Sequence, residues 1–195
     1  GGMGAYSPLP WLPEGFVDKI IETIAVPTVR QLAGEHTPFI GLLYCGLIIT
    51  PNGVKVIEFN ARFGDPETQV VLPRLKTPLS GLLFAAATGE LGSHPRPEFT
   101  DDVAVTVVLA SEGYPDAPVT GRPITGLDRV RDVTITHAAT ALVDGGYVAT
   151  GGRVLSVVGT GRTFADARAR VYRALESIHF EGGHYRKDIA LRVTE

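Results

Sequence analysis

Residues 56–67 read Val-Ile-Glu-Phe-Asn-Ala-Arg-Phe-Gly-Asp-Pro-Glu, and this stretch carries much of the fold information in the 195-residue chain. Upstream of it, residues 39–50 form a nearly continuous apolar run, and Asn52-Gly53 separates that run from the alternating pattern of residues 54–59. An Asn-Gly pair between two apolar runs favours a tight turn, because both residues tolerate positive φ. The pattern therefore predicts an antiparallel β-hairpin closed at Asn52-Gly53.

The second strand of this hairpin carries two oxygen-bearing side chains on one face. Side chains two residues apart in a strand point the same way, so Glu58 and Asn60 share a face. Ile57 and Phe59 are expected to face the other way, into an apolar core. A carboxylate beside an amide carbonyl offers hard oxygen ligands, which suit Mg²⁺ bound to substrate phosphates. The alternative is an ordinary solvent-exposed face, and the Glu-x-Asn spacing taken alone favours that alternative.

The residues after this strand indicate an anion-binding turn and a helix start. The planar guanidinium of Arg62 can bind a phosphate or a carboxylate through two parallel hydrogen bonds. Asp65 is predicted to be the N-cap and Pro66 the first residue of a helix, whose free N–H groups would lie nearby. The alternative is that Asp65-Pro66 is only a helix cap.

The remaining pattern predicts an α+β organisation with a domain boundary near residue 100. Apolar residues at helical spacing over residues 16–32 predict a core helix that Pro27 kinks or divides. A second helix is expected over residues 77–89, and the polar, proline-bearing residues 92–102 are interpreted as a link between domains. Further strands are expected at residues 103–109, 130–137, 139–143 and 153–158, followed by a helix from the Thr163 cap to residue 178.

The composition excludes several classes of function. Hydrophobic residues make up 44% of the chain and charged residues 20%, which is ordinary globular usage. The net charge is −3 and neither half is basic, so we expect no nucleic-acid partner. No apolar run reaches the about 18 residues of a membrane span, so we expect no membrane partner. The apolar neighbours of the single cysteine, Cys45, predict a buried thiol in a reducing, cytoplasmic setting.

Several segments of the chain, in order, resemble the glycinamide ribonucleotide synthetase family of ATP-grasp ligases. Arg62-Phe63-Gly64-Asp65-Pro66-Glu67-Thr68-Gln69 resembles the family's signature. Residues 1–8 resemble the family's loop after the ATP-binding lid. Residues 43–47 resemble the family's first metal-site strand, with Cys45 at a position where the family usually has a small residue. Residues 146–154 and 185–189 resemble two segments of the family's C-terminal domain. The resemblance covers essentially the whole chain.

This resemblance implies both a fold and a reaction. Residues 1–100 would be the C-terminal part of the ATP-grasp catalytic domain, an antiparallel sheet with helices, and residues 101–195 a small α+β domain. The implied reaction belongs to de novo purine biosynthesis. ATP phosphorylates the carboxylate of glycine, and the amine of 5-phosphoribosylamine attacks the glycyl phosphate, giving glycinamide ribonucleotide, ADP and phosphate. ATP is then a co-substrate, and the metal is Mg²⁺ or Mn²⁺.

The same resemblance implies roles for individual residues. Glu58 and Asn60 would hold the metal ion between the ATP phosphates, where it neutralises charge on the transferred phosphoryl group. Arg62 would stabilise that phosphoryl group or the acyl phosphate, and Asp65 and Glu67 would orient substrate amines. Arg62 and Asp65 are the expected catalytic residues. The expected substrate-binding residues are Gly1, Gly2, Met3, Gly4, Arg62, Asp65 and Glu67.

Some glycine and histidine patterns have structural alternatives. As a bare pattern, Gly1-Gly2-Met3-Gly4 is more typical of a flexible turn inside a loop than of a phosphate cradle. The glycines of residues 151–152 and 159–161 are typical of hairpin turns and not of a complete dinucleotide-binding motif. The five histidines are scattered without the spacing of a zinc site.

Two other functions compete with the leading interpretation. The resemblance implies an N-terminal domain and an ATP lid upstream of Gly1, so the chain is interpreted as a fragment of a longer enzyme. The first alternative is another ATP-grasp carboxylate–amine ligase that uses a different acid. The second is a non-catalytic metal- or partner-binding module that has lost the ATP lid. A monomer is the default oligomeric state.

Overall fold

The computed structural model describes residues 2–194, which form two compact units. Unit 1 comprises residues 2–8, 65–74 and 99–194, and unit 2 comprises residues 9–64 and 75–98. The break at residues 98 and 99 lies inside the predicted link. Residues 2–8 and 65–74, which the sequence analysis placed in a first domain ending at residue 100, lie in unit 1 with the C-terminal residues. They do so because they pair with or pack on its central strands.

The described residues form a mixed set of helices and strands. The strands are β1 (Gly4–Ser7), β2 (Tyr44–Thr50), β3 (Gly53–Asn60), β4 (Val103–Ala110), β5 (Pro123–Thr125), β6 (Thr134–His137), β7 (Thr140–Val143), β8 (Gly146–Ala149), β9 (Arg153–Gly161) and β10 (His179–Phe180). The α-helices are α1 (Phe16–Ile20), α2 (Val26–Gly34), α3 (Thr68–Val71), α4 (Leu79–Thr88) and α5 (Phe164–Ser177). Within residues 2–194, no helix is both long enough and apolar enough to cross a bilayer.

The core of unit 1 is an antiparallel sheet covered by α5. The strand order is β1-β4-β9-β6, and every residue of β4 is buried. The β-branched run of residues 103–109 predicted this strand correctly. Helix α5 packs on β4 and β9 through a buried stripe that includes Phe164, Val171 and Leu175. The predicted cap of α5 is confirmed, because the Thr163 hydroxyl accepts the Asp166 backbone N–H at 3.1 Å.

The glycines near residue 160 are strand residues and not a hairpin turn. Gly159 and Gly161 both lie in β9, so the turn prediction for residues 159–161 was wrong. A Cβ added to Gly159 would lie 2.7 Å from the carbonyl oxygen of Ala167 and 2.8 Å from Cγ2 of Val171. The absence of a side chain at Gly159 therefore allows α5 to approach β9 closely, which a sequence pattern does not reveal.

A second antiparallel sheet of unit 1 has the order β10-β5-β8-β7. Its short strands β5 and β8 were not predicted. The strand expected over residues 130–137 is shorter than predicted, since β6 begins at Thr134 after Asp132 adopts a positive φ of 61°. The structure thus places a turn where the β-branched composition favoured a strand.

Unit 2 contains the predicted hairpin, formed by β2 and β3. Thr50 pairs with Gly53, so Pro51 and Asn52 occupy the turn and Gly53 begins β3 with φ of 94°. The hairpin is confirmed, and its turn lies one residue earlier than the Asn52-Gly53 pair predicted. The strand β2 begins only at Tyr44, later than the apolar run from residue 39 suggested.

The helical stripe of unit 2 is present but is not core. Pro27 lies in the first turn of α2, and residues Ile21–Ala25 between α1 and α2 form a π-helical segment. Proline has no N–H to donate, so a break in the regular bonding pattern is expected there. None of the residues of these helices is buried, and Val17 is 56% exposed. The prediction that the stripe over residues 16–32 is core was therefore wrong: unit 2 provides no surface that covers it.

Helix α4 and the half-buried cysteine complete unit 2. The predicted second helix is confirmed as Leu79–Thr88, and it ends at Gly89 in the left-handed conformation. Cys45 is half-buried and not fully buried as expected. Partial burial nevertheless raises the pKa of its thiol above the usual value.

Candidate active site

Glu58 and Asn60 lie side by side on β3. The Asn60 amide Nδ2 donates a hydrogen bond to Oε1 of Glu58 at 3.0 Å, so the two side chains share one face of the strand. Glu58 is exposed and pairs across the hairpin with Gly46. A Cβ added to Gly46 would lie 3.1 Å from Cγ of Glu58. A glycine at this partner position therefore leaves room for the glutamate side chain.

A β-bulge lies immediately before this pair. Gly46 pairs with Glu58, whereas Leu47 pairs with Val56, which leaves Ile57 as the extra residue of β3. A bulge increases the local twist and interrupts the two-residue alternation of side chains. Ile57 is 66% exposed and Phe59 is 41% exposed. The prediction that both residues point into an apolar core was wrong, because the bulge interrupts the strand pattern and unit 2 does not cover this hairpin.

The chemistry of the pair fits a hard divalent cation. A carboxylate and an amide oxygen are typical ligands of Mg²⁺ or Mn²⁺, which complete their shells with phosphate oxygens and water. The Asn60 nitrogen faces Glu58, so joint coordination requires the amide to turn by about half a rotation and present its oxygen. In residues 2–194, no group of three or more His, Cys, Asp or Glu side chains forms a metal site. Glu58 and Asn60 alone therefore do not make a complete ligand shell for a metal ion.

Arg62 lies in the irregular segment that follows β3. One guanidinium nitrogen donates to the backbone carbonyl of Phe63 at 2.8 Å, and the side chain is exposed. An arginine has five N–H donors in a planar fork, so the others stay available to an anion. This arrangement suits the binding of a phosphoryl or acyl phosphate group.

The helix after Arg62 begins later than the sequence predicts. Helix α3 starts at Thr68 and has Glu67 at its cap position, without a side-chain cap hydrogen bond. Asp65 and Pro66 precede it in a turn, so the prediction that Asp65 caps the helix and Pro66 begins it was wrong. Glu67 is half-buried, and its backbone carbonyl accepts N–H groups of the first turn of α3.

The Asp65 carboxylate is engaged by two other side chains of unit 1. The Gln69 amide donates to Oδ1 at 3.0 Å, and the Arg153 guanidinium donates to Oδ2 at 3.3 Å. A second guanidinium nitrogen of Arg153 donates to the Asp65 backbone carbonyl at 2.8 Å and to the Gly2 carbonyl at 3.2 Å. These contacts explain why the Asp65 side chain does not act as a helix cap.

The N-terminal glycines lie in a strand and its approach. Gly1 is outside the described residues. Gly4 is the first residue of β1, where a Cβ would lie 2.7 Å from the carbonyl oxygen of Thr106, and the Met3 carbonyl accepts the Val108 N–H at 2.9 Å. A Cβ on Gly2 would lie 3.1 Å from Cδ of Pro66. The segment is therefore ordered by strand pairing and close packing, and the flexible-turn interpretation was wrong.

Sequence reasoning did not single out Arg153 as a candidate site residue. It begins β9, and it follows two glycines in the segment 146–154 that resembles the family's C-terminal domain. An arginine in a strand pattern is usually a solvent-exposed residue, so charge alone gave no signal. Its link to Asp65 is a long-range contact that only the fold reveals.

A cavity of about 530 Å³ lies at the C-terminal segment of unit 1. Its lining includes Tyr6, Arg186, Asp188 and Arg192. A hydrogen bond and the positive charge of Arg186 hold the pKa of the Asp188 carboxyl below its usual value, and Nε of Arg186 lies 2.9 Å from Oδ1. Nε of Arg192 donates to the Tyr6 hydroxyl at 3.2 Å. Two guanidinium groups and one carboxylate therefore line this cavity, and the carboxylate pairs with one of the guanidinium groups.

Family models match two parts of the chain. Residues 1–68 match the ATP-grasp (A) domain of phosphoribosylglycinamide synthetase, and residues 104–192 match the C domain of the same family. The antiparallel hairpin with its exposed carboxylate–amide pair and the following α+β unit define a protein of the ATP-grasp class. Within that class, the chain belongs to the phosphoribosylglycinamide synthetase family.

Relatives support this membership over the whole chain. The phosphoribosylamine–glycine ligase of Leifsonia xyli is 69% identical over 198 aligned residues, which cover 99% of this chain and 48% of that protein. The phosphoribosylamine–glycine ligase of Streptomyces coelicolor is 54% identical over the same shares of the two chains. The chain therefore spans about half the length of the curated relatives it matches.

Solved structures with the same architecture include one from this family. The crystal structure of phosphoribosylamine–glycine ligase from Thermotoga maritima superposes with a TM-score of 0.83 at 36% identity, covering 96% of this chain and 46% of that one. The biotin carboxylase domain of 2-oxoglutarate carboxylase from Hydrogenobacter thermophilus superposes with a TM-score of 0.63 at 17% identity, covering 95% of this chain and 43% of that one. The second match shows a shared fold alone.

Proposed function

We propose that this chain is part of an ATP-dependent phosphoribosylamine–glycine ligase of purine biosynthesis. The observation that carries the proposal is the adjacent Glu58–Asn60 pair on β3, in a chain that matches both the ATP-grasp domain and the C domain of one ligase family. The substrates would be ATP, glycine and 5-phosphoribosylamine. A cytoplasmic location and a monomeric state are part of the proposal.

Glu58 and Asn60 would hold a divalent cation, Mg²⁺ or Mn²⁺. When bound, such an ion neutralises charge on the phosphates during phosphoryl transfer. The exposed pair supports this role because both side chains offer hard oxygen donors. The ligand shell would be completed by phosphate oxygens and water.

Arg62 would act in the first step, when a glycine carboxylate oxygen attacks the γ-phosphorus of ATP and ADP leaves. Negative charge is then spread over the transferred phosphoryl oxygens. The free N–H groups of an exposed guanidinium can bind those oxygens, which supports a catalytic role for Arg62.

Asp65 and Glu67 would act in the second step, when the amine nitrogen of phosphoribosylamine attacks the glycyl carbonyl carbon and phosphate leaves. An ionised carboxylate accepts N–H bonds, so it can orient an amine toward the reacting carbon. The Asp65 side chain is 46% exposed, and this exposure supports access by a substrate. Gly1, Gly2, Met3 and Gly4 would lie close to the substrates, as the family resemblance implies.

The proposal is tested by substrate dependence in the complete ligase that contains residues 1–195. ADP release is measured with ATP, glycine and phosphoribosylamine, and then with each substrate omitted in turn. The proposal predicts ADP release that requires glycine and coupled formation of glycinamide ribonucleotide that requires all three substrates. Alanine, serine and small dicarboxylates serve as competing acids. Turnover with one of these acids and not with glycine would support a different carboxylate–amine ligase. Metal binding without ADP release from any acid would support the non-catalytic module.

A further inference from the structure

Arg153 binds two separate backbone segments of unit 1, one at Asp65 in the family's signature and the other at Gly2. Its Nη1 donates to the carbonyl oxygens of Asp65 and Gly2, at 2.8 and 3.2 Å, and its Nη2 donates to the Asp65 carboxylate at 3.3 Å. Both Asp65 and Gly2 are among the residues that the proposed function places at the substrates. One guanidinium therefore contacts two predicted site residues that are far apart in sequence.

The contacts of Arg153 differ from those of a fully exposed surface ion pair in burial and in donor geometry. The Arg153 side chain is 23% exposed, so the guanidinium is partly shielded from water. The fork geometry of arginine directs several donors at once, which a flexible lysine ammonium does not reproduce. With Gln69 donating to Oδ1 at 3.0 Å, both oxygens of the Asp65 carboxylate have a side-chain partner. The orientation of Asp65 is therefore fixed from two sides.

We infer that Arg153 is a positioning residue of the ligase reaction, which acts by holding Asp65 and the Gly2 carbonyl in place. This inference rests on the proposed function and deepens it, because it assigns a role to a residue outside the signature motif. Arg153 does not itself need to touch a substrate. Arg153 would affect binding of the substrate amine by orienting the Asp65 carboxylate. The exposed part of that carboxylate can then accept N–H bonds from the amine.

Arg74 provides a matched control for a purely structural arginine of the same unit. Its guanidinium also makes three hydrogen bonds, to the Ser7 hydroxyl at 2.7 Å and to the carbonyls of Asp102 and Thr100 at 2.7 and 3.1 Å. None of these partners belongs to the predicted site. Loss of Arg74 should therefore lower the stability of unit 1 without disturbing the Asp65 carboxylate.

The test compares Arg153→Ala and Arg74→Ala in the complete ligase that contains residues 1–195. The melting temperature and the kcat and KM for each substrate are measured for both variants. For Arg153→Ala we expect kcat/KM for phosphoribosylamine to fall about 10- to 100-fold, with KM for ATP within about twofold of the parent value. For Arg74→Ala we expect a lower melting temperature and kinetics close to the parent. Arg153→Lys should recover only part of the loss, because lysine lacks the fork.

A double-mutant cycle separates positioning from general destabilisation. If Arg153 acts through Asp65, the Asp65→Ala/Arg153→Ala double variant loses no more kcat/KM than the worse single variant. Multiplied losses would overturn the inference, and so would unchanged kinetics in Arg153→Ala or an equal kinetic loss in Arg74→Ala. A parent ligase that releases no ADP with glycine and phosphoribosylamine would instead refute the proposed function. The two failures are therefore distinguishable.

Discussion

Asn60 donates its side-chain N–H to the carboxylate of Glu58 across one intervening residue of the same strand, with Nδ2 and Oε1 3.0 Å apart. The amide thus satisfies one oxygen of a carboxylate that is otherwise exposed to water. If the pair held a divalent cation as proposed, Glu58 and Asn60 would be the residues that hold it, and the cation would take the place of this N–H at Glu58. The proposed metal site therefore requires this hydrogen bond to break.

Asn60→Asp places a second carboxylate beside Glu58 and should strengthen cation binding by the chain itself. Two like charges at this distance repel each other, and a divalent cation relieves the repulsion. At a Mg²⁺ concentration about tenfold above the Kd of Asn60→Asp for Mg²⁺, we expect the melting temperature of this variant to rise by about 3–6 °C. The rise in the parent at the same Mg²⁺ concentration should be smaller. Asn52→Asp, in the turn of the same hairpin, is the control. An equal response of all three proteins to Mg²⁺ would contradict the shared site.

Tyr172→Phe should destabilise unit 1 without altering its core volume. The Tyr172 hydroxyl donates to the Arg186 carbonyl at 2.7 Å and accepts the Ile189 N–H at 3.2 Å. Loss of both bonds should cost about 1–3 kcal/mol, seen as a lower melting temperature at pH 7. The control is Tyr147→Phe, since the Tyr147 hydroxyl makes no hydrogen bond within the described residues. A larger effect at Tyr147 would refute this account.

The stabilisation by Tyr172 should also depend on pH. Burial raises the pKa of the Tyr172 hydroxyl, so the folded protein keeps it protonated at a pH where the unfolded chain has begun to ionise. Its contribution is complete below the unfolded pKa of about 10 and is lost as the pH rises through the higher folded pKa. The difference in melting temperature between the parent and Tyr172→Phe should therefore shrink above about pH 10. A melting-temperature difference that stays constant up to pH 11, about one unit above the reference pKa of tyrosine, would argue against a pH-dependent contribution of Tyr172.

Gly159→Ala should disturb the contact between β9 and α5. The added methyl group would meet the Ala167 carbonyl oxygen at 2.7 Å and Val171 Cγ2 at 2.8 Å. Backbone and a packed side chain cannot both move away freely, so we expect a loss of about 1–3 kcal/mol in chemical unfolding. Gly34→Ala, at the end of α2 with no atom within 4 Å of the added Cβ, should be neutral or slightly stabilising. Equal stability of the two variants would show that α5 packs more loosely than described.

Cys45 should react slowly with alkylating agents in the folded protein. Partial burial raises the pKa of its thiol, and the thiolate is the reactive form. At pH 8 we expect alkylation by iodoacetamide to be slower than that of a free cysteine, since the ordinary pKa is about 8.5. Unfolding in urea should remove the difference. A folded rate equal to that of free cysteine would contradict the raised pKa.

The sequence predicted those elements whose signals are local. Thr163 and Asp166 mark the start of α5, Gly89 ends α4, and the β-branched run of β4 identifies a buried strand. The errors arise where long-range packing decides. The bulge at Ile57 is visible only from the pairing of β3 with β2. The short strands β5 and β8 likewise form by pairing with each other and with β10 and β7 in the second sheet.

The candidate site was predictable to a similar extent. The shared face of Glu58 and Asn60 follows from the two-residue period of a strand, and the hydrogen bond between them agrees with that geometry. The helix-cap prediction for Asp65 failed because Arg153, 88 residues along the chain, binds its carboxylate. The sequence around Asp65 contains no pattern that predicts a contact with Arg153, because the two residues are far apart in the chain.

The most direct test of the central claim replaces Glu58 by Gln in the complete ligase that contains residues 1–195. Glutamine keeps the size and hydrogen-bonding ability of the side chain but removes the negative charge that would hold the cation. Folding should change little, because Glu58 is exposed and has no buried charged partner among the described residues. The control is Glu90→Gln, a similar charge loss just after α4, which should leave turnover nearly intact.

The measurement is ADP release that depends on glycine and phosphoribosylamine, across a Mg²⁺ titration, with the melting temperature recorded alongside. For Glu58→Gln we predict a loss of about 100-fold in turnover at limiting Mg²⁺, or about 3 kcal/mol of transition-state stabilisation, with an unchanged melting temperature. Near-normal turnover of Glu58→Gln at limiting Mg²⁺ would remove Glu58 from the metal site and contradict the account.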